Sequence, residues 1–204
     1  SRGLGDVYKR QLSKCDVLIC VMSGNYTQRG EPAMIDKFTR TKMALYNKVD
    51  LVVELPMVFS VQSANMFAYT SVSLLHHLKV DEIYFGSESG DIKELEYIAD
   101  LLESDDYNDL VKSFLSQGYS FPTSSDKSVR QLTNSAIYDS PNNILGIQYI
   151  KAARKLKSPI VLKTFHRHEA GYYANIIEGN NIQSATAIRK KALLNEDISP
   201  YVPK

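Results

Sequence analysis

Four short apolar runs punctuate the chain, at residues 16–21, 50–55, 81–85 and 159–164, and longer stretches with a helical period separate them. Each run is nearly continuous rather than alternating, is bounded by turn formers, and is too short for a helix, so each reads as a strand buried on both faces. Helices are expected at 32–46, 63–78, 91–104, 107–117, 140–156 and 182–194. Pro32 opens the first, with Phe38, Thr41 and Leu45 as its inner stripe; Asp91 and Glu94 form a capping box; Ser140 caps a helix that has Pro141 at its first position. Strands alternating with helices predict an α/β fold: a Rossmann-like parallel sheet with helices on both faces. Residues 119–139 are polar and serine-rich, and read as a mobile cover with one short helix carrying Lys127 and Arg130, the latter solvated in preference to phosphate-bound.

The first strand delivers the stretch from Val21 to Pro32, VMSGNYTQRGEP, at its carboxyl end. Ligands of open α/β sheets bind at that edge. Ser23 and Gly24 begin the loop, glycine lets a backbone approach a ligand, and Arg29 supplies a positive fork for phosphate or carboxylate; a polar loop with a solvated arginine explains the same letters. Lys37 and Arg40, three apart on the following helix, are a solvated face or a phosphate clamp. Glu54, inside the second apolar run, is a site residue or an acceptor for backbone amides. Gly86 ends the third run, where it either lets adenine or ribose lie against backbone or serves only the turn. Asn142, in the first turn of its helix, is a nucleotide contact or an ordinary capping residue. Ser184, Thr186 and Arg189 stand at a helix start as hydroxyls and a guanidinium suited to phosphate; a capped amphipathic helix accounts for them equally.

Composition changes little: 204 residues, 44% hydrophobic and 23% charged, suit one globular domain. Net charge of +1 means that a nucleic-acid partner would need a local basic patch. No apolar run can span a bilayer and no cleavable leader opens the chain, so a cytoplasmic location is expected. Cys15 and Cys20, placed on one strand, face opposite sides and stay free. His76 and His77 are adjacent on a helix and point apart, so no metal site is expected. Residues 1–11, SRGLGDVYKRQ, carry no period and resemble translated adapter sequence; they are read as a non-native tail, leaving 12–204 as the catalytic domain.

The run from Val21 to Pro56, with FGSE at 85–88, SPNNILG at 140–146 and SATAIRK at 184–190, resembles the bacterial tRNA(Met) cytidine acetate ligase family, which is HIGH-type nucleotidyltransferase-like. The resemblance implies activation of acetate by ATP as acetyl-adenylate, with magnesium accompanying the ATP, and transfer of the acetyl group to the wobble cytidine of elongator tRNA(Met). It implies Arg29 and Lys37 as catalytic residues, and Ser23, Gly24, Gly86, Asn142 in preference to Asn143, Arg167, Ser184, Thr186 and Arg189 as nucleotide-binding ones. Arg29, Arg167 and Arg189 are expected to meet at one edge of the sheet. The family opens with a strand, a His-x-Gly-His turn and a helix that are not found here, so the domain is expected to be incomplete at its start and a poor catalyst by itself. Two other classes stay open: an adenylyltransferase acting on a small phosphorylated metabolite, which would bind no tRNA, and a noncatalytic tRNA-binding module, which would need no ATP.

Overall fold

A computed structural model describes residues 15–166 and 185–199. Arg167 and Ser184 lie outside the described residues, as does the side chain of Thr186. The chain divides into two compact units, residues 1–62 with 168–204, and residues 63–167.

In the first unit, β1 (Ile19–Ser23) and β2 (Leu51–Leu55) pair in parallel, Ile19 opposite Leu51 and Ser23 opposite Leu55. Cys15 precedes β1, so the two cysteines do not share a strand. Helix α1 (Lys37–Tyr46) starts five residues later than Pro32 suggests. Asp36 is its N-cap, accepting from the amides of Phe38 at 2.9 Å and Thr39 at 3.0 Å, whereas Pro32 bridges to Tyr26 in the preceding loop. The expected stripe is also out of phase. Phe38 is 70% exposed and Leu45 43%, while Lys37, Arg40, Thr41 and Ala44, together with Thr39, are half-buried. Apart from Thr39, their i, i+3, i+4, i+7 spacing is a helix face, but its buried contacts are polar, so a search for apolar residues selects the wrong side. A single turn, α2 (Met57–Ser60), follows β2.

In the second unit, α3 (Ala64–His77) is capped by Ser63 and leads into β3 (Glu82–Ser87), which pairs in parallel with β4 (Val161–His166). Both strands end later than the apolar runs do, so Gly86 lies inside β3, opposite Phe165. Ile83, Phe85 and Ser87 alternate inward. Between these strands run α4 (Ile92–Leu101), α5 (Asp105–Ser116), α6 (Phe121–Thr133), a 3-10 turn (Ile137–Asp139) and α7 (Pro141–Lys155). The core gathers Val72 of α3, Phe85, Leu95 and Ile98 of α4, Val129 of α6, and Ile147 and Ile150 of α7. Gly146 lets α7 approach β3, since a Cβ there would stand 2.5 Å from the Phe85 ring.

The serine-rich segment is not a cover. It forms the 13-residue helix α6, which buries Ser124, Ser125, Ser128 and Val129. Small serines bring it close to α5, and the Tyr107 and Ser125 hydroxyls meet at 2.7 Å. Burial raises the Tyr107 phenol above its ordinary pKa. Arg130 is held by Asp126 and Asp139. The capping box at α4 is rearranged: Asp91 accepts from the Lys93 amide, but the Glu94 carboxylate takes the Ser89 hydroxyl. Helix α8 (Ala185–Leu193) closes the described part of the first unit, with Ile188 buried and Arg189 exposed.

Candidate functional site

At the carboxyl edge of β1 and β2, the loop of residues 24–36 is tied down at several points. Thr27 N donates to Glu31 O at 2.8 Å, Gly30 N to Thr27 O at 3.0 Å, and Ala33 N to Asn25 O at 2.7 Å. Asn25 Oδ1 accepts from the Lys37 amide at 3.0 Å. Ser60 Oγ and Gln28 Nε2 join the loop to the segment after β2. Arg40 reaches back under it: its guanidinium donates to the carbonyls of Ser23, at 2.9 Å, and Gly24, and to Ile35 O at 3.1 Å. Arg40 thus commits its Nε and Nη2 donors to closing the strand end instead of standing as a solvated surface group. Lys37 Nζ meets Glu54 Oε1 and Oε2 at 3.0 and 2.7 Å, and that carboxylate lies against Gly24, where a Cβ would collide with it. Among the described residues Glu54 thus serves an ion pair and not backbone amides. Arg29 is exposed, with no hydrogen-bond or ion-pair partner among the described residues. Thr39 holds the Asp36 carboxyl below its usual range, through its hydroxyl first and its amide second.

At the corresponding edge of the second unit, the turn after β3 joins three elements. The Thr164 hydroxyl donates to Phe85 O, Ser87 Oγ meets Thr164 Oγ1 at 2.7 Å, and Gly90 N donates to Ser87 Oγ at 2.9 Å. Gly90, with φ of 70°, rests on the backbone of His166 so closely that a Cβ would lie 2.8 Å from its Cα. Glu88 accepts from Asn142 Nδ2 at 2.5 Å and from the Asn143 amide at 2.9 Å. Ser140, the expected cap of α7, makes no side-chain capping bond, and Glu88 fills that office from another element. Asn143, 3% exposed, accepts from the Ser89 amide and donates to Ile137 O.

Among the sequence-predicted residues, Ser23, Gly24 and Lys37 therefore come together at the β1–β2 edge, and Gly86 and Asn142 flank the turn after β3. Glu88 and Asn143 were passed over. The available signal was the acidic residue directly after a Gly-Ser strand end, but the helix turn it binds lies 54 residues further along the chain. A cleft of about 380 Å³ in the second unit lies among Asn65, Tyr69, Glu103, Lys151, Arg154 and Lys155. At 1.5 Å per residue its α7 members stand about 14–20 Å along the helix from Asn142, at the other end of α7 from the turn after β3. Among the described residues no group of three or more His, Cys, Asp or Glu could hold a metal ion, and no helix is long and apolar enough to cross a membrane.

Parallel strands alternating with helices, whose carboxyl ends carry glycine-containing turns and clustered polar side chains, define a Rossmann-like α/β protein. The chain belongs to the HIGH Nucleotidyl Transferase family, whose model matches residues 7–204. It is 44% identical over 183 residues to a tRNA(Met) cytidine acetate ligase of Caldicellulosiruptor bescii, covering 89% of this chain and 46% of that protein. It is 42% identical to the Bacillus cereus protein of the same name, covering 96% of this chain and 52% of the relative. The chain thus spans about half the length of the curated relatives it matches. Thermotoga maritima TmcAL in an apo crystal form superposes with a TM-score of 0.89 at 36% identity, over 99% of this chain and 51% of that one. The same protein bound with alpha-thio ATP gives 0.83 at 37% identity, over 96% and 48%.

Proposed function

We propose that this chain is the nucleotide-handling part of an ATP-dependent tRNA(Met) cytidine acetate ligase. The observation that carries the reading is 44% identity to a relative of that name across 89% of the chain, joined to a likeness to a solved structure holding an ATP analogue. In the proposed reaction an acetate oxygen attacks the α-phosphorus of ATP, the bond to the β-phosphate breaks, and pyrophosphate leaves. The N4 amine of the wobble cytidine in elongator tRNA(Met) then attacks the acyl carbon and AMP departs. Work on tRNA suits a cytoplasmic location.

Negative charge grows on the α-phosphate and on departing pyrophosphate, so fixed cations are what the first step needs. Arg29 has no hydrogen-bond or ion-pair partner among the described residues, which supports a role on phosphate. Lys37 is already paired with Glu54, so a phosphate would have to share it with that carboxylate. Arg167, Ser184, Thr186 and Arg189 are assigned to the nucleotide by their match to the family strings, Ser23, Gly24 and Gly86 by their position at strand ends, and Asn142 by its place in the first turn of α7 and its match to the family string. Magnesium enters as the companion of the triphosphate: with no carboxylate cage among the described residues, phosphate oxygens and water would hold it.

The test is calorimetric titration of the chain with ATP and with a nonhydrolysable acyl-adenylate mimic. Binding of both, with the mimic displaced by ATP, is expected. Absence of either interaction, or tRNA(Met) binding that is indifferent to ATP, contradicts the reading.

A further inference from the structure

Glu88 has no place in the reaction above, yet it occupies the point where the second unit's strand edge meets a helix. A carboxylate can only accept, and both of its oxygens are spent on donors of one helix turn, the Asn142 side chain and the Asn143 amide. Two consequences follow from chemistry alone. The NH2 end of Asn142 must face Glu88, which fixes the orientation of that side chain. The positive end of α7 is also already neutralised by the protein's own anion, so its amides offer little to a triphosphate.

We propose that Glu88 is a positioning residue that couples the Gly86 turn to Asn142 and reserves the start of α7 for the nucleoside part of ATP instead of its phosphates. The proposal rests on the nucleotide reading given above. Its neighbours make the coupling stiff. Asn143 is buried and bonded on both sides, to Ser89 N at 3.0 Å and Ile137 O at 2.9 Å, and Ser89 is itself tied to Glu94 of α4. Ser87 binds Thr164 of β4 from the same turn. Four consecutive residues, 87 to 90, thus anchor the end of β3 to β4, α7 and α4, and a shift at Glu88 has no slack to absorb it.

The experiment compares ATP with inorganic tripolyphosphate, which carries the phosphates and no nucleoside, on wild type, Glu88→Ala and Glu88→Gln, with circular dichroism confirming folding. Loss of a charge-assisted hydrogen-bond pair should weaken ATP about tenfold or more in Glu88→Ala. Tripolyphosphate should bind unchanged, or tighter because the Asn143 amide is opened. Glu88→Gln keeps one acceptor oxygen and should fall between alanine and wild type, and it carries the comparison alone if alanine does not fold. Equal losses for both ligands indicate a merely structural role and overturn the proposal, as does unaltered ATP binding. Failure of wild type to bind ATP would remove the nucleotide reading and this proposal together, an outcome distinguished by its independence of residue 88.

Discussion

Glycines 24 and 90 both sit at strand ends with no room for a Cβ, but their neighbours differ in kind. At Gly24 the obstacle is the tip of the Glu54 side chain, which can swing away, so Gly24→Ala should cost less than about 1 kcal/mol while breaking the Lys37–Glu54 pair. At Gly90 the obstacle is the His166 backbone and φ is positive, so Gly90→Ala should cost about 1–3 kcal/mol. Urea denaturation of the two variants checks the contrast, and equal costs would refute it. Charge adds a second test. Glu82 is held below its usual pKa by the Lys163 ammonium first and the Tyr84 hydroxyl second, and Lys163 is held above its own by the Glu82 carboxylate. The Glu82 contribution is full above the ordinary carboxylate pKa and lost as pH falls through the lowered one. The Lys163 contribution is full below the ordinary lysine pKa and lost as pH rises through the raised one. Glu82→Gln should therefore flatten the stability profile at both its acid and alkaline ends. Sequence singled out Gly24 and Gly86 by the local signal of glycine at a strand end, and Lys37 and Asn142 by the family resemblance. It could not show that Glu54 and Glu88 hold two of them, since those partners are 17 and 54 residues away.

Helices were legible where their buried face is apolar and misread where it is polar. The stripe of α4 stood out, with Leu95, Ile98 and Ala99 buried as its spacing predicts. In α6 the inward face is Ser124, Ser125 and Ser128, so a segment that showed only a short helix around Lys127 and Arg130 was read as a mobile cover instead of a packed 13-residue helix. Those serines are not equivalent. Ser125 satisfies the buried Tyr107 hydroxyl, and Ser125→Ala should destabilise by about 1–2 kcal/mol. Ser124 Oγ is buried without a hydrogen-bond partner among the described residues, so Ser124→Ala should be neutral or stabilising. Thermal denaturation of the pair separates them; a larger loss at Ser124 would contradict the packing described. In α1 the Pro32 signal misled because proline also suits the bridge to Tyr26, and the true start is set by Asp36.

At the scale of the chain, two pairs of parallel strands with helices between the members of each pair were readable from apolar run length, because each strand is short and nearly continuous. Strand pairing was not: β1 pairs with β2 and β3 with β4, and register is written in contacts between residues 30 to 80 positions apart. The nucleotide reading concerns three arginines in particular. Arg29 and Arg189 belong to the first unit by sequence, and Arg167 closes the second. The most direct measurement is the ATP dissociation constant of Arg29→Ala, Arg167→Ala and Arg189→Ala, each beside wild type at one salt concentration and with its melting temperature recorded. Loss of a charged phosphate contact should weaken ATP about tenfold or more in each variant with little change in melting temperature. ATP binding that is undiminished in all three would contradict the account.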